Sequence, residues 1–246
     1  MKEYRADLHI HTILSPCGDL NMSPANIIRV ALEKQLDIIG ITDHNSVLQA
    51  PLIRDLAKKQ GLTVLCGAEV TTREEIHCLA FFPTDEELFS FQQYLEKYLP
   101  HQPNDPDKFG YQVVVDEAEN IVREFEYLLI SGIDQSLEQV EAEVHRLNGL
   151  FIPAHVDRPR FSIISQLGFF PPDLRADAFE ISRNTTRQAF MTSNPGLKRW
   201  NSIQSSDAHF LNYIGTAFTK FLLESPNFVE IKMALKNENG RKILTD

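Results

Sequence analysis

Asp7-Leu8-His9-Ile10-His11 ends a short apolar run at the start of the chain. In an extended strand, residues i and i+2 project to the same face. His9 and His11 therefore send both imidazoles to one side, the arrangement a metal ion requires. The same spacing also suits two histidines on a solvated strand face, so the rest of the chain has to choose. Thr42-Asp43-His44, Gly67-Ala68-Glu69, Ile76-His77, Ala154-His155 and Ser206-Asp207-Ala208-His209 each end a β-rich apolar run in a metal-ligand residue type.

Working outward, residues 4–10 read as the first strand and Ile13 to Met22 as a loop holding Pro16 and Gly18. Ser23-Pro24 signals a helix start, with serine as N-cap and proline at the first helical position. Leu36 to Thr42 is almost continuously apolar, as in a parallel strand covered on both faces. A helix within 45–60, starting properly near Pro51, is stopped by Gly61. Strands at Leu62–Cys66 and Glu75–Phe82 follow, then a capped helix from Thr84 to about Leu99. Strands alternating with helices at this spacing imply βαβ units and a parallel sheet.

Residues 100–112 carry Pro100, Pro103, Pro106 and Gly110, a loop signal. Asp116 to Ile130 and Ser136 to Leu147 read as amphipathic helices, so 100–148 is expected to be a mostly helical insertion over one end of a single domain, 1–246. An ordinary helical layer on its outside is the alternative. Strands resume at Leu150–Ala154, Ala176–Ile181, Ser202–Ser205 and Thr216–Leu222, and Ser225-Pro226 opens a last helix ending near Gly240.

The 246 residues suit one α/β barrel, and 43% hydrophobic residues suffice for a full core. A formal net charge of -10 argues against a general binder of long nucleic acid or anionic membrane. It leaves room for a small anionic substrate, because bound cations change the local sign. The three cysteines, Cys17, Cys66 and Cys78, form no C-x-x-C pair, which suits a reducing compartment. With no apolar leader and no run of roughly 18 apolar residues, a soluble cytoplasmic protein is expected.

Of the eight histidines, His9, His11, His44, His77, His155 and His209 sit at or just past strand ends, where α/β barrels assemble their chemistry. His101, in the proline-rich loop, and His145, on a helix, are set aside as structural or solvated. Asp19, Glu69 and Asp207 supply carboxylates. Mixed histidine and carboxylate donors suit zinc, manganese or iron, and nine ligands exceed what one ion takes.

The ordered set His9-Ile10-His11, Thr42-Asp43-His44, Glu69, His77, His155 and Asp207-Ala208-His209 resembles the motifs of the PHP (polymerase and histidinol phosphatase) family. The resemblance implies a distorted (β/α)7 barrel holding two to three divalent ions and hydrolysing phosphoesters. It implies that His9, His11, Glu69 and Asp207 hold a first ion, that Glu69 bridges to a second on His77 and His155, and that His44, His209 and Asp19 hold a third. Many members have histidine where Asp19 stands, so Cys17 is a rival ligand. Glu69, Asp207 and His209 would form the catalytic set. Asp43 either orients an imidazole or caps the following turn.

The expected reaction is attack on phosphorus by metal-activated hydroxide, with no side-chain nucleophile. Arg158 and Arg183, just past strand ends, are candidates to grip the phosphate; the alternative is surface pairing to Asp157, Asp173 or Asp177. Phe161, Phe169 or Phe170 could offer a stacking platform, although aromatics are more often core. A small phosphorylated substrate (a nucleotide, histidinol phosphate or sugar phosphate) is the first reading. An exonuclease-like phosphodiesterase on short single strands is the second, and a non-catalytic metal-binding regulatory domain is the alternative of a different class.

Overall fold

The computed structural model describes residues 1–244, so the last two residues of the expected 1–246 domain lie outside the described residues. In chain order the first half comprises β1 (Lys2–Ile10), α1 (Pro24–Glu33), β2 (Ile38–His44), α2 (Ala50–Lys58), β3 (Thr63–Thr71), β4 (His77–Phe81) and α3 (Asp85–Tyr98). The middle holds α4 (Pro106–Phe109), β5 (Val113–Val115), β6 (Ile121–Glu124), α5 (Leu137–Arg146) and β7 (Leu150–Pro153). Then follow α6 (Ile163–Leu167), β8 (Phe179–Ile181), α7 (Arg187–Ser193), β9 (Ser202–Gln204), β10 (Thr219–Leu223), α8 (Phe228–Leu235) and β11 (Lys242–Leu244).

Hydrogen bonds close the strands into a ring. One ladder runs β1-β2-β3-β4-β7. From β7 the ring passes to β8 through Asp177 N–H to the Phe151 carbonyl (3.0 Å) and Val156 N–H to the Glu180 carbonyl (2.9 Å). β8 pairs with β9 in parallel. Ala208, just after β9, then bridges to Ile10, with His11 N–H donating to its carbonyl at 2.9 Å. This ring is the distorted (β/α)7 barrel. β10 pairs with the first half of β1, and β11 extends from β10.

The sheet is not wholly parallel, as the βαβ rhythm had implied. β1, β2 and β3 are parallel, but β3 to β4 and β4 to β7 run antiparallel. Only residues 72–76 join β3 to β4, too short a link for a parallel crossover.

One irregularity decides where the chemistry points. Between Asp7, opposite Ile39, and Ile10, opposite Ile41, β1 spends three residues against two of β2. Such a bulge re-aims the side chains that follow it. Leu8 packs inward with Leu65, Leu79 and Ile152, and Ile10 turns outward to the helices. His9 and His11 then face the buried centre. The bulge presses β1 onto β2 so closely that a Cβ on Gly40 would lie 2.5 Å from the Leu8 carbonyl oxygen. Only glycine fits there.

The inward face forms two layers. The lower is apolar (Ala6, Leu8, Ile38, Leu65, Leu79, Phe81, Ile152) and is covered by Ile231, Ala234 and Leu235 of α8. Each large side chain buried there contributes about 1.5–3 kcal/mol. The upper layer is polar and holds the predicted ligands. Outside the ring, α1, α2, α3 and α5 bury their apolar stripes against Ile39, Ile41, Cys66, Ala68 and Ala80.

The expected helix over 116–130 is instead a hairpin. β5 pairs antiparallel with β6, and the turn between them is built by Asp116, whose Oδ1 accepts from the N–H of Ala118 and Asn120 (both 2.9 Å). The β-branched runs Val113–Val115 and Ile121-Val122 outweigh the helix-forming Glu117-Ala118-Glu119. Only α4 and α5 are helical within 100–148. The segment is pinned beside the upper end of the barrel. Asn45 Nδ2 donates to the carbonyls of Leu129 and Ser131 (2.6 and 2.9 Å), and Gln49 Oε1 accepts from Val115 N–H at 2.9 Å.

Candidate metal centre

Glu69 is the centre of the upper layer, and its side chain is 1% exposed. Its Oε1 lies 2.9 Å from His77 Nδ1, 3.1 Å from His155 Nε2 and 3.3 Å from His9 Nε2. Its Oε2 lies 3.2 Å from His44 Nδ1 and 3.3 Å from His11 Nε2. One carboxylate thus meets five imidazoles contributed by β1, β2, β4 and the segments just after β1 and β7. Asp207 Oδ1 faces three rings, at 3.4 Å from His9, 3.3 Å from His11 and 3.4 Å from His209. The structure brings together His9, His11, His44, Glu69, His77, His155, Asp207 and His209, all read from the sequence.

Three clusters have donors close enough to share an ion: His9, His11 and Glu69; His44, Glu69 and His77; and His11, His44 and His209. The donors fit such ions on direct evidence. His44 Nδ1, His77 Nε2, His155 Nδ1 and Asp207 Oδ1 are buried with no hydrogen-bond partner. His9 Nε2 also faces His11 Nε2 at 3.1 Å, two ring nitrogens aimed at one point. Orphaned buried polar atoms in a native fold require an explanation, and bound cations provide one. His155 and Asp207 also adopt positive φ (30° and 50°), strain that collects at functional sites.

The electrostatics follow from crowding. Burial opposes ionisation of Glu69, but His77, His9 and His44 overcome it and hold its carboxyl well below the ordinary range. Burial likewise opposes Asp207, and His9 and His11 hold it low. For His9, burial disfavours the charged ring, yet Glu180, Asp207 and Glu69 raise it well above its usual value. His44 is pushed well down by burial and by His11. His209 falls to about 3 for the same two reasons.

Asp43 acts at one remove. Its Oδ1 accepts from Ser15 Oγ–H at 2.7 Å, and Ser15 Oγ contacts His11 Nδ1 at 2.9 Å. The same carboxylate accepts from the Thr12 N–H and hydroxyl (2.7 and 2.8 Å), so it orients His11 through Ser15 and ties down the loop before it. In the 12–22 loop, Asp19 turns its Oδ1 to the N–H and Nδ2 of Asn21 (2.8 and 2.7 Å). Cys17 Sγ lies 3.4 Å from His44 Nε2.

Arg158 Nη1 reaches Asp207 Oδ2 at 2.5 Å, not the surface acids, and its buried Nε has no partner. Arg183 Nη1 donates to the Ser206 carbonyl at 3.1 Å, and its guanidinium lies 3.8 Å from the Tyr213 ring centre. Phe161 stacks on His77 (4.8 Å between ring centres) while staying 37% exposed. Phe170 packs on Trp200 and Phe179, and Phe169 is exposed. His101 stacks on Tyr127, and His145 contacts Asp177 and Glu141, so both stand apart from the cluster.

Sequence reasoning missed Glu180. Its carboxylate meets His9 Nδ1 at 3.0 and 3.2 Å and accepts the His155 N–H at 3.0 Å. The signal was available: one acid in the apolar strand Ala178-Phe179-Glu180-Ile181 is costly unless buried against a partner.

The family model of the PHP domain matches residues 7–161. The chain belongs to the PHP family. Along its whole length this PHP chain is 26% identical to the uncharacterized protein YqxK of Bacillus subtilis, spanning 65% of that protein. Its fold is similar to endonuclease Q of Pyrococcus furiosus (TM-score 0.70, 21% identity), over 98% of this chain and 58% of that one. It is also similar to a Bifidobacterium adolescentis protein classed with the metal-dependent phosphoesterases (TM-score 0.56, 19% identity, 91% and 90% coverage). The PHP chain thus spans less than two thirds of the length of YqxK and of endonuclease Q. Among the described residues, no helix is long and apolar enough to cross a membrane.

Proposed function

We propose that the chain is a metal-dependent phosphoesterase whose reaction takes place at the upper end of the barrel. The observation that carries this reading is the Glu69 carboxylate set among five imidazoles, with Asp207 facing three rings beside it. His9, His11, Glu69 and Asp207 would hold one ion. Glu69, His77 and His155 would hold a second. His44 and His209 would hold a third with a donor from the 17–19 loop, where Cys17 Sγ lies 3.4 Å from His44 Nε2 and Asp19 Oδ1 is engaged with Asn21. The donor set suits zinc, manganese or iron. When bound, such ions supply an acidified water and neutralise charge on phosphoryl oxygens.

The chain's own residues do the rest. Glu69 and Asp207 spread negative charge between the ion positions. Arg158, braced on Asp207, has its buried Nε unsatisfied and thus a donor in reserve for an anion. Arg183 is held against Tyr213 and the Ser206 carbonyl in a fixed pose, which lowers the entropy lost on gripping phosphate.

A small phosphorylated substrate is the first reading, supported by the net charge of -10, which disfavours long polyanions. A specific observation favours a second. Endonuclease Q, described in complex with a 27-mer duplex bearing an abasic lesion, matches 98% of this chain with a TM-score of 0.73. Cleavage of DNA is therefore the alternative, with the exposed Phe161 as a base-stacking surface. A reducing cytoplasm as the working compartment fits the free thiols of Cys17, Cys66 and Cys78.

The test is a substrate panel on protein reconstituted with manganese or zinc. It holds mononucleotides, histidinol phosphate, sugar phosphates, a synthetic diester, single-stranded oligonucleotides and an abasic duplex. Phosphate release from the small monoesters supports the first reading, and oligonucleotide cleavage alone supports the second. A fully metallated protein inert on the whole panel refutes catalysis and leaves a regulatory metal-binding domain.

A further inference from the structure

Glu180 is 1% exposed, and among the described residues no arginine or lysine pairs with it. A buried carboxylate carries a desolvation cost of several kcal/mol that its partners must offset. Its side-chain contacts are His9 Nδ1, at 3.2 Å from Oε1 and 3.0 Å from Oε2, and the His155 N–H, at 3.0 Å from Oε2. These two histidines belong to different ion positions, and both reach Glu69 with their Nε2 atoms. His155 is also the residue with φ of 30°, a conformation that needs an external hold.

We propose that Glu180 is a positioning residue that sets both ion positions from a single point. Accepting the His9 Nδ1–H fixes the ring tautomer that leaves Nε2 free to donate to an ion. Accepting the His155 N–H holds the strained backbone that aims the second ring. A carboxylate behind a ligand imidazole raises its basicity. With an ion held by His9, the Nδ1–H would be polarised toward Glu180, which would offset the burial of the carboxylate. Metal binding and the retention of Glu180 are thus reciprocal, and loss of Glu180 weakens two ion positions at once. This role rests on the proposed metal centre, so the test separates the two.

Metal-free protein is titrated with Mn2+ by calorimetry and with Co2+ by visible absorption, for the wild type, Glu180→Gln and Glu180→Ala. Circular dichroism monitors the fold. Glutamine can accept both hydrogen bonds on one oxygen but carries no charge. We expect the tightest site to weaken about 10-fold in Glu180→Gln and about 100-fold in Glu180→Ala. A second site should weaken in parallel, and the cobalt bands should shift. If Glu180→Ala does not fold, Glu180→Gln decides alone. Variants that bind as tightly as the wild type, with unchanged spectra, overturn the role of Glu180. A wild type that binds no ion overturns the metal centre itself.

Discussion

On β3, Leu65 and Glu69 lie four residues apart on the same face of the sheet, one in the apolar layer and one among five imidazoles. Leu65 adds stability through area removed from water. Glu69 is a buried charge whose value depends on what it binds, and the rings around it keep unsatisfied nitrogens. The lower layer therefore holds the barrel closed, while the upper layer keeps buried donor atoms unpaired, as the proposed metal centre requires. The single extra residue of the β1 bulge separates the two, because it turns His9 inward directly after Leu8.

The largest expected effect breaks the upper layer alone. Glu69→Ala or His9→Ala should lower phosphoesterase activity about 1000-fold or more, since each removes a proposed ligand of an ion that would contribute several kcal/mol. Melting temperature of the metal-free protein should change far less. Steady-state rates and thermal melts on the same preparations check both halves.

Breaking the lower layer should do the reverse. Phe81→Ala, in a fully buried position, should cost about 3–5 kcal/mol of stability. The folded fraction should keep its metal content and its rate per folded chain. Urea denaturation followed by elemental analysis measures this.

The two layers also differed in how readily they could be read. Candidate ligands that end apolar runs, such as Asp207 and His209 after Ser202–Ser205, announce themselves, because strand ends in a barrel converge. The same rhythm marked the strands of the ring but also counted Thr216–Leu222 among them, which pairs with β1 as β10 outside the ring; the count of seven came from the family resemblance. The bulge did not, since an extra residue leaves no mark in a period-two pattern until Gly40 is seen pressed against Leu8. The β3–β4 reversal was visible only in the shortness of residues 72–76. Glu117-Ala118-Glu119 looked helical because local propensity favours helix, while the valine runs on either side pair with each other. Glu180 was missed because no motif records a residue that acts through a neighbour.

A smaller effect sharpens the electrostatic side of the comparison. His209 has its folded pKa lowered to about 3 by burial and the nearby His11. The unfolded chain then takes up a proton near pH 6.5 that the metal-free folded chain refuses. The stability His209 supports is present above pH 6.5 and is lost as pH falls from there toward 3. His209→Gln should make the pH slope of stability below 6.5 shallower by about 1.4 kcal/mol per pH unit. Denaturation with chelator present at pH 7.5, 6 and 5 reads this slope.

The smallest effect lies at the rim. Cys17→Ala should weaken the last ion to bind more than Asp19→Ala does, because Cys17 Sγ faces His44 while Asp19 is engaged with Asn21. Competition titration with a chromophoric chelator would rank the two variants. The opposite order would give the ligand place to Asp19.

The central claim is that the upper layer is a multinuclear metal centre, and counting the ions tests it most directly. Protein stripped with chelator, reconstituted with excess zinc or manganese and desalted should carry two to three ions per chain by elemental analysis, and Glu69→Ala should carry at most one. A wild-type protein that retains one ion or none after the same treatment would contradict the account.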